Sequence, residues 1–246
     1  MQNNGVKDFY NKFASANLLL DFIYFNKRQD EIKRLCKNFV PLNARILEIG
    51  CGTGIITKYL IKLSDKIVSL DISDKNIEIA KHYVKSEKVN FLILDLLNQE
   101  KNYFKSVKFD VILIADVLEH LPRTKHLSVF KLIESYLSEN GRVIITYPSP
   151  EYQKFLKINA PNSLQIIDEE IELHEILSET RLKPINFNYK NIWNNNDYIH
   201  LVLQKNIFLN NIKKKDIKNY LLYRFKKYAW RIRHLFFYQK IKKIIN

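Results

Sequence analysis

The stretch Arg45-Ile-Leu-Glu-Ile-Gly-Cys-Gly-Thr-Gly54 joins an apolar run to three closely spaced glycines, and a helical pattern follows directly after it. Glycine lets a backbone turn sharply and lets a ligand approach the chain closely. Without a ligand, the same stretch would be a tight turn between a strand and a helix. Because an apolar strand pattern, a glycine loop and a preceding acid, Glu48, occur together, the stretch predicts a ligand-binding loop in an α/β fold.

The segments around this loop alternate between apolar runs, which predict strands, and helical patterns. Along the chain they follow one another at 44–49, 53–62, 67–70, 75–86, 90–94, 109–115, 124–138 and 142–147. Such alternation predicts βαβ units, and therefore a parallel sheet that is covered by helices on both faces.

The remaining patterns lie at the two ends of this alternation. Two later apolar runs, 184–189 and 198–204, flank the Asn-rich stretch 191–196 and predict an antiparallel hairpin at a sheet edge. Helices are expected over 7–39 and over most of 151–182.

The charge of the chain is concentrated at its C-terminal end. Of 40 Lys and Arg residues, 13 lie in 205–246, where Asp216 is the single acid, whereas 1–204 is nearly neutral. We therefore expect a domain over 1–204 and a basic amphipathic helical tail over 205–246. A basic appendage predicts an anionic partner, which is either a membrane surface or a nucleic acid.

The composition also indicates in which cellular compartment the protein is expected. Two cysteines, Cys36 and Cys51, make neither a disulfide framework nor a Cys-rich zinc site. The N-terminus lacks a basic region followed by an apolar one, and the apolar runs 18–25 and 109–118 are too short to span a bilayer. These features predict a cytoplasmic protein.

Two cofactor classes use a glycine loop of this kind. A dinucleotide fold has the spacing G-x-G-x-x-G, which would place its third glycine at Ile55. The spacing here is G-x-G-x-G after Glu48, whose carboxylate would repel a pyrophosphate. That carboxylate is expected to lie near the ligand and to pair with a cationic group such as an α-amine.

The stretch from Leu47 to Gly54 resembles the first motif of the class I S-adenosylmethionine-dependent methyltransferases, and the resemblance runs from about residue 40 to 205. It implies a Rossmann-like, mostly parallel seven-stranded sheet and S-adenosylmethionine as the cofactor. The cofactor-binding residues that it implies are Glu48, Gly50, Cys51, Gly52, Asp71, Ile72, Asp95, Leu96, Ala115 and Asp116.

Two acids in this set have specific expected roles. Asp71 ends the second apolar run and can accept both ribose hydroxyls; its alternative role is to cap the next helix, although Ser73 or Asp74 is better placed for that. Asp95 ends the third run, where the family's residue meets the adenine amino group and the next residue, Leu96, packs on the ring. The alternative for Asp95 is a plain loop acid.

The fourth run ends in an acid-rich segment that carries the candidate catalytic residues. Asp116, Glu119 and His120 would share one face of a helical turn. His120, with Glu119 beside it, could act as a general base on a substrate hydroxyl. Alternatively, the three residues could hold a divalent cation, as in the ubiquinone-biosynthesis O-methyltransferases that this segment resembles, or they could be structural. We assign no metal ligand.

The absence of two known motifs excludes some classes of methyl acceptor. The chain lacks the Asn/Asp-Pro-Pro-aromatic motif of base and amide N-methyltransferases, and no Cys follows the fourth run to attack cytosine. Substrate residues are expected in 9–13, 147–152 and 155–168. Tyr10 could close over the methionine end of the cofactor, or it could be an aromatic residue of the core. The short insertion favours a small acceptor.

The stretches Pro148-Ser-Pro-Glu-Tyr152 and Leu164-Gln-Ile-Ile-Asp168 resemble methyltransferases that are encoded beside saccharide-biosynthesis enzymes. This resemblance implies transfer of a methyl group to a hydroxyl oxygen of a saccharide or its lipid-linked precursor. The tail would hold the enzyme on the inner face of the membrane, because Ile217, Leu221, Phe225, Tyr228 and Ile232 form an apolar stripe among basic residues. Three alternatives remain open. The tail could bind RNA, as in a tRNA methyltransferase, it could dock on the body, or the chain could be a non-catalytic cofactor-binding module.

Overall fold

The computed structural model describes residues 3–16, 22, 26–95, 103–104, 106–161, 164–207, 224–225 and 228. The chain divides into two units, Met1–Ile207 and Phe208–Asn246. The predicted tail helix over 205–246 lies outside the described residues, except for 205–207, Arg224, Phe225 and Tyr228. Phe225 and Tyr228 are exposed.

Seven strands form a single sheet, and seven α-helices accompany them in the described part of the chain. In order, the elements are α1 (Asn3–Ala16), α2 (Lys27–Phe39), β1 (Ala44–Ile49), α3 (Ile55–Leu60), β2 (Ser64–Asp71), α4 (Asp74–Tyr83), β3 (Val89–Ile93), β4 (Phe109–Ala115), α5 (His126–Tyr136), β5 (Leu137–Pro148), α6 (Pro150–Asn159), α7 (Leu173–Glu179), β6 (Lys183–Lys190) and β7 (Tyr198–Gln204).

The strand order is β3-β2-β1-β4-β5-β7-β6. Strands β1 to β5 pair in parallel, and β7 pairs antiparallel with both β5 and β6. This confirms the predicted Rossmann-like sheet with an antiparallel edge hairpin. The order reverses between β1 and β4, and in open α/β sheets the ligand crevice lies outside the carboxyl ends of the strands at that point.

The central strands of the sheet are buried on both faces, which explains why β1, β4 and β7 are nearly continuous apolar runs. On one face, Ile46, Val111 and Ile144 pack with Ile32 and Leu35 of α2. On the other face, the alternate strand residues pack against α5 and α7, as seen for Leu47, Ile112, Phe130, Ile133 and Ile176. The core therefore fixes the carboxyl edge of the sheet from both sides.

Several predicted elements have different bounds in the structure, and two of these differences affect the surroundings of the site. The helix predicted over 124–138 ends at Tyr136, because Leu137 is buried and pairs with Phe109 as the first residue of β5. The segment predicted to be mostly helical over 151–182, with a possible loop at 160–163, is interrupted after Asn159. There the chain turns back along the sheet edge, where the Glu169 N–H donates to the Glu119 carbonyl over 2.8 Å.

Candidate active site

The glycine loop lies at the carboxyl end of β1, beside the segment that follows β4. Gly50 has a φ of 74°, and a Cβ built on it would come within 2.2 Å of Val117. Gly52 has a φ of 53°, but a Cβ built there would meet no atom of the described residues within 4 Å. Gly50 is thus required for packing inside the protein, whereas Gly52 opens onto free space in which a ligand can approach the backbone.

Asp71 ties the end of β2 to this loop. One carboxylate oxygen accepts the Gly52 N–H over 2.8 Å, and the other accepts the Ser73 N–H over 2.9 Å and the Asn76 amide over 3.2 Å. Burial raises its pKa, against the lowering effect of these hydrogen bonds. Ser73 caps α4, as expected. Asp71 is therefore free of the capping role, and its predicted contact with a ribose stays a prediction.

Glu48 has a different position from the predicted one. Its carboxylate is buried, and Oε2 accepts hydroxyl hydrogen bonds from Thr57 over 2.5 Å and from Ser69 over 2.7 Å. Burial raises its pKa to about 7. We expected a pairing with a cationic ligand group. The structure instead places the carboxylate between β1, β2 and α3, where it holds the two ends of the glycine loop together.

Asp116 begins the segment after β4 in a left-handed conformation, with a φ of 57°. Its Oδ1 accepts the Thr146 hydroxyl over 2.7 Å, and its Oδ2 lies 3.1 Å from the Arg28 guanidinium of α2. The left-handed residue prevents an α-helical turn, and a short 3₁₀ turn over Leu118–His120 follows instead. The prediction that Asp116 shares a helical face with Glu119 and His120 is therefore wrong.

His120 is held by the chain that returns along the sheet edge. Its Nδ1 lies 2.8 Å from the Ile167 carbonyl and 3.2 Å from Oδ1 of Asp168, and its Nε2 lies 3.9 Å from Glu119. Burial by itself would lower the histidine pKa, but the charges of Glu119 and Asp168 raise it to about 9. With a proton on Nδ1, the ring leaves Nε2 as the atom that can take up a proton.

Glu119 is buried directly beside this imidazole. Within the described part of the chain its side-chain Oε2 has no hydrogen-bond partner, and burial raises its pKa. A buried carboxyl oxygen without a partner is costly, so it marks a place where a bound group can donate a hydrogen bond.

Tyr10 of α1 lies over the crevice. Its hydroxyl donates to the Gln165 side chain over 2.7 Å, and its ring centre is 6.3 Å from that of His120. Burial, together with the negative charges of Glu119 and Asp71, raises its pKa. The Tyr10 side chain therefore lies between the two acidic sides of the crevice, where we predicted that it could close over the cofactor.

The other predicted cofactor residues lie at the same edge of the sheet, apart from Leu96, which lies outside the described residues. Ile72 and Asp95 are half-buried just beyond β2 and β3, and Ala115 ends β4. Cys51 is buried against α4. Among the residues described here, no three His, Cys, Asp or Glu side chains are grouped closely enough to hold a metal ion.

Sequence reasoning missed several residues that shape the site. Arg28 comes from α2, Thr146 from β5, and Asp168 from the return segment, where it was noted only within the substrate range 155–168. No local motif signals them, because each meets its partner only through the tertiary fold.

A comparison with protein families matches a methyltransferase-domain model to residues 42–223. The chain belongs to the class I S-adenosylmethionine-dependent methyltransferase family. This methyltransferase chain is 35% identical over 83 residues to the ubiquinone biosynthesis O-methyltransferase of Pelagibacter ubique, and the matched stretch is 32% of the length of each chain. It is 40% identical over 76 residues to the malonyl-[acyl-carrier protein] O-methyltransferase of Priestia megaterium, which covers 29% of this chain and 28% of that one.

Solved structures with the same fold cover more of the methyltransferase chain. The magnesium protoporphyrin IX methyltransferase of Synechocystis with bound S-adenosylhomocysteine gives a TM-score of 0.62 at 15% identity, over 83% of this chain and 99% of that one. The N-methyltransferase NodS of Bradyrhizobium japonicum, also with S-adenosylhomocysteine, gives a TM-score of 0.63 at 16% identity, over 80% of this chain and 98% of that one. At these identities the likeness shows the fold alone.

None of the described helices combines the length and the apolar character that a membrane crossing requires.

Proposed function

We propose that the protein transfers the methyl group of S-adenosylmethionine to a hydroxyl oxygen of a small-molecule acceptor. The observation that carries this proposal is the placement of His120 between Ile167 and Asp168, at the edge where the glycine loop opens. The relatives whose names specify an O-methyltransferase support oxygen as the accepting atom.

The crevice provides groups that suit this cofactor. Free space at Gly52 admits the ligand to the loop backbone, and the Asp71 carboxylate lies directly behind that loop. Asp95 lies at the end of β3, beside β2, where the adenine is expected. The unpartnered Oε2 of Glu119 can accept a hydrogen bond from a polar group of the ligand. We assign the binding of the cofactor to Gly50, Cys51, Gly52, Asp71, Ile72, Asp95, Leu96, Ala115 and Asp116.

Proximity and proton removal are the contributions of this chain to the reaction. S-adenosylmethionine, when bound, supplies a methyl group on a positively charged sulfur. His120 holds its Nδ1 proton toward Ile167 and Asp168, so Nε2 accepts the proton of the acceptor hydroxyl as the oxygen–methyl bond forms and the sulfur–methyl bond breaks. Glu119 sets the charge beside the imidazole. Tyr10 covers the site and excludes water.

A saccharide or a lipid-linked saccharide precursor is the acceptor that we favour. The segment between α6 and α7 is short, running from 160 to 172, and a short insertion favours a small acceptor. The basic segment 205–246 would hold the protein at an anionic membrane surface on the cytoplasmic side. Truncation after Gln204 should abolish sedimentation with phosphatidylglycerol vesicles. A loss of tRNA binding with a steep salt dependence would instead favour the RNA alternative.

Calorimetric titration with S-adenosylhomocysteine tests the cofactor assignment. We expect Asp71→Ala to abolish binding and Asp65→Ala to leave it unchanged, because Asp65 is an exposed acid on the same strand. An unchanged affinity in Asp71→Ala contradicts the ribose assignment.

The role of His120 as the base can be tested once an acceptor that the enzyme methylates has been identified. His120→Ala should lower kcat by about 10²- to 10⁴-fold with cofactor affinity retained. His174→Ala, at an exposed helical position, should leave kcat unchanged. Full turnover by His120→Ala would show that another group removes the proton.

A further inference from the structure

A second cleft lies beside the proposed active site, between helix α6 and the turn that joins β6 to β7. Its volume is about 480 Å³, which is within the range of small-ligand sites. The residues that line it are Ser149, Glu151, Tyr152, Phe155, Tyr189, Asn194, Asn195 and Asn196. None of them belongs to the cofactor crevice described above.

The turn that forms one wall of the cleft is held rigid by a buried acid. The Asp197 carboxylate accepts backbone N–H groups from Ile192 over 2.7 Å, Trp193 over 2.6 Å and Asn194 over 2.8 Å. The side chain of Asn191 accepts the N–H of Asn196 over 2.7 Å. The carboxamides of this turn are therefore presented on a fixed backbone, so little ordering entropy is lost when a ligand binds.

Aromatic rings also line the cleft, two of them from helix α6 and one, Tyr189, from β6. The rings of Tyr152 and Phe155 are nearly parallel, with centres 6.3 Å apart, and Trp193 stacks behind Tyr152 at 6.1 Å. Phe155 is 50% exposed and Tyr189 is 44% exposed, so their faces are open to solvent. Such faces bind flat, partly apolar ring surfaces at a small cost in conformational entropy.

The polar groups of the cleft indicate the kind of ring. Three carboxamides, the Ser149 hydroxyl, two phenolic hydroxyls and one carboxylate line it, and the described lining residues include no Lys, Arg or His. Carboxamides both donate and accept hydrogen bonds, as sugar hydroxyls do. A nucleic acid or a free phosphate would require cationic partners. The lining therefore suits a neutral polyhydroxylated ring.

We propose that this cleft is a saccharide-binding subsite of the acceptor, in which a sugar ring stacks on Phe155 and Tyr152 and bonds to Asn194 and Asn195. The proposal rests on the proposed function and names the substrate class of that enzyme. Helix α6 connects the cleft with the surroundings of His120, because the side chain of Gln153, next to Tyr152, donates to Oδ1 of Asp168 over 3.5 Å. Asp168 in turn lies 3.2 Å from His120.

Saturation-transfer difference NMR on the full chain, with S-adenosylhomocysteine present, tests the subsite. The probes are the methyl glycosides of glucose, mannose, rhamnose and N-acetylglucosamine, beside adenosine and uridine. We expect at least one glycoside to receive saturation on its ring protons. Phe155→Ala should weaken that binding by about three- to tenfold and Asn195→Ala by about fivefold. Ile158→Ala is the matched control, because Ile158 is an exposed apolar residue of the same helix that does not line the cleft.

The proposal is overturned if no glycoside binds, if Phe155→Ala and Asn195→Ala bind like the parent, or if the nucleosides bind with the same dependence on these residues. Calorimetry with S-adenosylhomocysteine on the same samples distinguishes failure of the saccharide subsite from failure of the proposed methyltransferase function. If the cofactor binds but no glycoside signal is seen, the saccharide subsite is refuted and the proposed methyl transfer is not. Absence of cofactor binding refutes the proposed function, and the assignment of an acceptor subsite with it.

Discussion

Oδ1 of Asp168 lies 3.2 Å from Nδ1 of His120, and the Ile167 carbonyl lies 2.8 Å from the same nitrogen. Asp168 is itself positioned by the Gln165 N–H, which it accepts over 2.5 Å. The segment after α6 thus determines both the orientation of the imidazole and the side on which its proton resides. A histidine that the sequence shows only as part of an acid-rich turn becomes an oriented base through this contact.

Removal of the Asp168 charge should move the pH profile of the enzyme. The nearby acids raise the His120 pKa to about 9, so the neutral, proton-accepting ring gains population as the pH rises toward that value. In Asp168→Asn the pKa should fall, because a negative charge that favours the imidazolium is lost. The acid limb of kcat should therefore shift to lower pH, as measured by initial rates between pH 6 and 10.

Glu170→Gln provides the control for this shift, because Glu170 lies in the same segment but pairs with Lys157 over 2.8 Å. Its profile should match that of the parent enzyme. A shift in Glu170→Gln, or none in Asp168→Asn, would show that Asp168 does not tune the histidine.

Alanine at two glycines of the loop should have two different effects. At Gly50, a Cβ would meet Val117 at 2.2 Å, so Gly50→Ala should lower the free energy of unfolding by several kcal/mol through overpacking and left-handed strain. At Gly52 there is open space, and the cost should be limited to about 1–2 kcal/mol of backbone strain. Gly52→Ala should fold but should bind S-adenosylhomocysteine much more weakly.

Thermal unfolding and calorimetry on both loop variants check this contrast. A second substitution, Val117→Ala, removes the Cγ2 atom of the close contact and should restore part of the stability of Gly50→Ala. Equal destabilisation by both glycine substitutions, or a Gly52→Ala protein with full cofactor affinity, would contradict the division of roles.

The buried carboxyl of Glu48 should make stability fall as the pH rises. Burial raises its pKa in the folded state to about 7, above the value near 4.3 expected for the unfolded chain. The folded state therefore binds more protons between these two values, and the stabilisation present below about pH 4.3 is lost as the pH rises through about 7. A shift of this size corresponds to about 4 kcal/mol.

Glu48→Gln removes the titration while an amide oxygen still accepts the hydroxyls of Thr57 and Ser69. Urea unfolding at pH 5 and pH 7.5 should therefore show a smaller loss of stability in Glu48→Gln than in the parent. The exposed Glu87, substituted in the same way, should leave the pH dependence unchanged. If Glu48→Gln and Glu87→Gln behave alike, Glu48 is not the titrating group.

The sequence by itself determined the sheet and the glycine loop. Strands β1, β4 and β7 have the predicted bounds, because each is a continuous apolar run that must be buried on both faces. The loop after β1 and the cap at Ser73 also follow from local chemistry, since backbone conformation and nearest-neighbour hydrogen bonds decide them.

Only the tertiary structure decided the surroundings of the candidate base and the role of Glu48. Arg28 meets Asp116, and Asp168 meets His120, across elements that are far apart in the chain. Glu48 faces Thr57 and Ser69 because the pleat of β1 turns it into the interior between sheet and helix. Sequence patterns record which residues are buried or turn-forming, whereas the partner of a buried polar group is set by the packing of elements that no local pattern connects.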